Sequence, residues 1–101
     1  MNKSIRDNLV SRIRDGEGAS SKEARRAAFA NEGVAEPGRA LVDKVAKNAY
    51  RVTDEDVAAA TSAGLEEDEV FELVVCAAIG QSTRQLENAL AALEQATKEK
   101  A

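Results

Sequence analysis

The stretch Glu66-Glu67-Asp68-Glu69-Val70-Phe71-Glu72-Leu73-Val74-Val75-Cys76-Ala77-Ala78 decides the fold class. Four acids load a first helical turn, where they face the positive end of the helix macrodipole. Val70, Leu73, Val74, Ala77 and Ala78 then follow the spacing of one apolar helix face and not the alternation of a strand. This helix is expected to be the most buried of the chain. Beyond it, Gly80-Gln81-Ser82-Thr83 lowers helical propensity and predicts a kink or break. Leu86, Leu90 and Leu93 restore an i, i+4, i+7 pattern in a terminal helix.

Upstream, the same signals mark four shorter helices. Ile5, Leu9 and Ile13 recur every fourth residue before the joint Gly16-Glu17-Gly18, which makes residues 1–18 a candidate peripheral arm. Ser20 and Glu23 have capping-box spacing, so a second helix is expected from about residue 21 to Gly33. Pro37 suits the first turn of a third helix, with Leu41, Val42, Val45, Ala46 and Ala49 on its apolar face and its end near Tyr50. Thr53 followed by Asp54, Glu55 and Asp56 opens a short fourth helix that stops at Gly64. With 101 residues, 20 of them alanine, one proline and three aromatics, the chain reads as a single all-α domain over residues 1–101, a compact bundle of five to six helices.

Composition also excludes chemistry. The chain has no histidine and one cysteine, so Ser-His-Asp, Cys-His and histidine-based metal sites are ruled out, as is an internal disulfide. No apolar run approaches the ~18 residues of a membrane span, and residues 1–6 contain nothing resembling a signal peptide, so a cytoplasmic protein without membrane contact is expected. Residues 1–51 carry 11 basic and 7 acidic side chains and residues 52–101 carry 3 and 11, a split of +4 against −8. The cations are interleaved with acids and lack an aromatic platform, which argues against nucleic acid and for contact between the two halves, within a chain or between subunits.

Five features invite a functional reading. Cys76 is the only thiol, but its neighbours Val75, Ala77 and Ala78 place it in an apolar run, where burial makes it an inert small hydrophobe. The acids at 54–56, 66–69 and 72 offer oxygen ligands, yet helix-start electrostatics accounts for both runs and no metal site is assigned. Arg84 is the sole cation between Val52 and Glu94, a partner for a bound anion or, the better reading, for a structural carboxylate. Tyr50 offers a hydroxyl, with the ring expected in the core and its tip wet. Arg25-Arg26 reads as a solvated face or a subunit contact.

The sequence from Gly64 to Ile79 resembles the second half of the core motif in the carboxymuconolactone decarboxylase and AhpD-like alkylhydroperoxidase superfamily. A glycine ends one helix there and an acid-rich turn opens the next, which carries Val70, Phe71-Glu72 and an alanine-rich run. The resemblance extends over about residues 39–95 and implies an AhpD-like helical core and a homo-oligomer, trimeric or hexameric. Its peroxidase members carry Cys-x-x-Cys-x-x-x-His ahead of the glycine, and counting back from Gly64 puts Ala49, Val52 and Asp56 at those three positions. Peroxide reduction by that route needs an activated thiolate, a resolving thiol and a proton carrier, so thiol peroxidase activity is not expected. The decarboxylase branch keeps a tyrosine-containing sequence before the same histidine; Tyr50 resembles that tyrosine, while Asp56 departs from the histidine.

The reading that results is a catalytically degenerate AhpD-like protein that self-associates and works as a binding or assembly module, with no cofactor. The alternative is a small-molecule lyase or oxidoreductase of the carboxymuconolactone decarboxylase type, using Tyr50, Asp56, Cys76 or Arg84 in a non-standard site. The two differ in whether those side chains converge in a polar pocket. A third reading is an adaptor whose first helix docks on another protein through Ile5, Leu9 and Ile13.

Overall fold

A computed structural model describes residues 3–100, apart from the side chains of Lys3, Ser4, Arg6, Glu99 and Lys100. Within them lie α1 (Lys3–Asp15), α2 (Lys22–Ala30), α3 (Arg39–Asn48), a 3-10 turn (Ala49–Arg51), α4 (Asp54–Ser62) and α5 (Glu67–Lys100), with no strand. The fold is all-α, and among the described residues no helix is long and apolar enough to cross a membrane.

The axis of the bundle is α5. Val70, Leu73, Cys76 and Ala77 line its inner face and pack against Ala28 of α2, Leu41, Val42 and Val45 of α3, and Ala60 of α4. Small side chains dominate this core, and among the described residues only Val42 and Cys76 of the larger ones are sealed completely. Small residues let helix axes approach closely, so stability rests on tight backbone contacts more than on bulky side chains.

The break expected at residues 80–83 is absent: α5 is continuous over 34 residues. Gly80 serves a different purpose. A Cβ at this position would overlap the carbonyl of Phe29, so the missing side chain is what lets the C-terminal end of α2 rest directly on α5. Ser82 stays inside the helix by donating its hydroxyl to the Ile79 carbonyl at 3.0 Å. The uninterrupted helix projects beyond the bundle, with residues 85–98 exposed throughout. The radius of gyration is accordingly 15.5 Å, against the ~13 Å of a compact chain of this length.

Two helix starts also differ from expectation. Ser21, not Ser20, caps α2, accepting from the Ala24 amide at 3.0 Å. Ser20 turns inward instead, because a carboxylate on α5 reaches it. Pro37 lies ahead of α3 after a cis peptide, and α3 begins behind Gly38 without a side-chain cap. The fourth helix does open on the expected Thr53 cap, which is here a full capping box, with Thr53 accepting from the Asp56 amide and Asp56 accepting from the Thr53 amide. At the end of α2, Asn31 takes the left-handed conformation and its amide bonds back to the Ala28 carbonyl at 3.2 Å.

Gly80→Ala separates packing from propensity. In a free helix the exchange gains about 0.8–1 kcal/mol. Here the overlap with Phe29 prevails, and a net loss of about 1–3 kcal/mol, the usual cost of overpacking, is expected in chemical denaturation. An unchanged or raised midpoint would mean that α2 does not rest on Gly80.

Candidate functional site

Three long side chains satisfy backbone groups of other segments, two at helix ends and one in the joint that leads into α2. Glu72, on α5, accepts from the amides of Ala19 and Ser20, both at 2.8 Å, and from the Ser20 hydroxyl at 2.5 Å. Gly18 passes so close that a Cβ would lie 2.8 Å from the carboxylate oxygens, which explains a glycine at this point. Burial on its own would raise the Glu72 pKa. The bonds from Ser20 and Ala19, with the nearby Arg25 charge, outweigh burial and hold the carboxyl below its ordinary value.

Arg25 is 3% exposed, so it is neither a solvated face nor a surface contact. Its guanidinium donates to the carbonyls of Ile13, at 3.1 Å, and Gly16. These lie at the C-terminal end of α1, where carbonyls lack helical donors. Arg26 does face solvent, paired with Asp15 at 2.7 Å.

Arg84 performs the same service for α2, donating to the Phe29 carbonyl at 2.5 Å and to the Gln81 side chain at 3.0 Å. The carboxylate partner expected for it is replaced by a helix C-terminus, which carries partial negative charge and attracts a cation for the same reason.

The remaining candidates lie apart from one another. Tyr50 sits on the 3-10 turn and is 80% exposed, ring included, against the expectation of a ring in the core; Arg51 lies over it at 5.6 Å. The turn faces outward because the inward position falls to Val52, which packs on the core. Asp56 is occupied by the α4 cap and by Lys44, 2.7 Å away; the Lys44 bond and the Thr53 amide hold its carboxyl below the usual range. Cys76 is fully buried, with its sulfur 3.7 Å from the Ile13 carbonyl. Burial pushes its thiol pKa up, so it is protonated and unreactive near neutrality.

The positions that the resemblance sets against two thiols and an imidazole, Ala49, Val52 and Asp56, fall on the 3-10 turn and the start of α4. The acid runs act as helix starts, since Glu69 also reaches back to the Glu66 amide at 3.0 Å. Among the described residues no three acids or cysteines form a group that could hold a metal ion.

Among several shallow surface clefts, two differ in chemical character. One, of about 440 Å³, is lined by polar and charged groups of the α2–α3 connection and α3, including Asn31, Glu36, Arg39 and Asp43. The other, about 340 Å³, is an apolar groove between α1 and α5, lined by Leu9, Val10, Ile13, Ile79 and Leu86 with Ser82 and Thr83. None of Tyr50, Asp56, Cys76 and Arg84 lines either cleft. No protein-family model matches the chain, and neither a curated protein nor a solved structure matches it at a significant level.

Glu72→Gln is expected to destabilise the protein by about 1.5–3 kcal/mol at pH 7, the range for hydrogen bonds to a charged group. Folded Glu72 titrates below its unfolded value, so its stabilisation is complete above the ordinary carboxylate range and drains away as pH falls through the folded pKa. The gap between wild type and variant should therefore narrow on acidification. A gap constant from pH 7 to pH 3 would contradict this assignment. Cys76 should resist alkylation in the native protein at pH 7 and react on denaturation. Cys76→Asp should be severely destabilising, since it buries a charge without a partner.

Proposed function

We propose that the chain is a catalytically degenerate AhpD-like protein that acts as a homo-oligomeric binding or assembly module and not as a thiol peroxidase. One observation carries this reading: the polar side chains that would make a site are dispersed and already engaged or solvated, while large apolar side chains stand uncovered. Arg84 and Asp56 are committed to helix ends, Cys76 is sealed, and Tyr50 is in solvent. By contrast Phe71 is 69% and Leu93 63% exposed, with Leu9, Leu86 and Leu90 also exposed. Single exposed leucines are ordinary on a surface, but a set aligned along one helix marks an interaction face.

Chemistry supports the loss of peroxidase function. Ala49 and Val52 supply no sulfur at the positions where the resemblance requires it, and Asp56, bonded to Lys44, is a poor proton carrier at neutral pH. A reduced, buried lone thiol suits the cytoplasm.

The test has two arms. With an organic hydroperoxide and a dithiol reductant, no turnover above background is expected, and sustained turnover abolished by Cys76→Ala would refute the inactive assignment. Light scattering at micromolar concentration should give a multiple of the 10.7 kDa chain mass, whereas a monomer at both low and high salt would refute the assembly role.

A further inference from the structure

The exposed apolar side chains of α5, Phe71, Leu86, Leu90 and Leu93, are joined into one line by the half-buried Val75 and Ile79 and the exposed Ser82. Phe71, Val75, Ile79, Ser82, Leu86, Leu90 and Leu93 succeed one another at intervals of four, four, three, four, four and three residues. At 3.6 residues per turn this spacing keeps every member on one side of the helix. The core-facing residues Leu73, Cys76, Ala77 and Gly80 fall on the opposite side. The bundle core therefore lies behind α5, and the line faces outward, with α1 running along one edge of it where Leu9 and Ile13 share clefts with Val75, Ile79 and Leu86.

Three features identify what covers this line. First, it is nearly its own reverse about Ser82: Phe71 and Leu93 stand eleven residues to either side, Val75 and Leu90 seven and eight, Ile79 and Leu86 three and four. An identical helix laid antiparallel meets bulk with bulk at the ends and a small hydroxyl side chain at the centre. Such self-complementarity is what a two-fold interface requires.

Second, charge selects the antiparallel direction. Residues 66–69 are four consecutive acids at the start of α5, and a parallel pair would place two such runs side by side. Laid antiparallel about Ser82, each acidic run lies instead at the level of Lys98 of the second copy, which within its own chain pairs with Glu94 at 3.3 Å. The helix dipoles also oppose one another in this direction.

Third, the size is adequate. From Phe71 to Leu93 the strip is ~33 Å long, and with the α1 edge about 15 Å wide, so two copies bury on the order of 1,000 Å², the threshold for a specific interface.

We infer that α5 pairs antiparallel with α5 of a second copy of this chain, across a two-fold axis near Ser82, through the line from Phe71 to Leu93. This contact rests on the assembly reading above and gives it a partner, a face and a register. It leaves both bundles on the outside of the pair and the α2–α3 cleft open.

Crosslinking tests the register. In a Cys76→Ala background, with the unchanged Cys76 background as a second version should the first unfold, Phe71→Cys and Leu93→Cys are prepared as separate proteins. Both positions are exposed, so circular dichroism should match the parent. Under mild oxidation each alone should remain largely uncrosslinked, because its own copies lie at opposite ends of the pair. The mixture should yield a disulfide-linked species of twice the chain mass, at least tenfold faster than either variant alone. Leu86→Glu, introduced into both, should abolish that product. Rapid crosslinking of Phe71→Cys alone would establish a different direction and overturn the inference. A multimeric mass without crosslinking in the mixture would move the contact to another face while leaving the assembly reading intact. A monomeric mass would overturn both.

Discussion

Everything in this bundle depends on how the open ends of its short helices are satisfied. Helices of nine or ten residues leave a large share of their amides and carbonyls without internal partners. Here a side chain from elsewhere supplies the missing group. Arg25 serves the end of α1, Arg84 the end of α2, and Glu72 the segment that leads into α2. Two of the three belong to α5, twelve residues apart, so α2 is held at both ends against the same long helix. Between these points Ala28 meets Cys76 and Ala77, with Gly80 completing the close approach.

This mode of construction accounts for the quality of the core. With so few large buried side chains, apolar burial per residue is modest, and charge-assisted bonds to backbone carry a larger part of the specificity. Arg25 illustrates the cost: its Nε is buried without a partner, while its other nitrogens hold the end of α1. It also accounts for the continuity of α5. A helix tied at residues 72, 80 and 84 to one partner has no freedom to break in between, and its remaining length extends into solvent. The uncovered line along its outer side is then a consequence of the fold and not an isolated surface defect.

A chain of this size covers one side of a 34-residue helix and no more. The inner side takes the small residues that permit close packing, and the outer side retains leucines and a phenylalanine that the single chain cannot bury. Partner binding would add apolar burial to a monomer that has little of its own, so stability and association are linked through mass action.

The sequence by itself determined the all-α class and the presence of the four upstream helices, but not that the last helical stretch is one element and not two. Acid-loaded turns, the Thr53 cap and the apolar spacing from Val70 to Ala78 are local signals that act within one or two turns, and they were legible because nothing distant competes with them. The same local reading placed Cys76 in an apolar run. What only the tertiary structure decided were the roles that depend on a partner distant in sequence. Gly80 reads as a helix breaker until the Phe29 carbonyl is seen against it. Arg25 and Arg84 read as surface or salt-bridge cations until helix ends are found within their reach, and Ser20 reads as a cap until Glu72 arrives from α5. A glycine, an arginine or a serine has several local uses of nearly equal free energy, and a contact made across more than fifty residues of chain, as between Phe29 and Arg84 or Ser20 and Glu72, selects among them.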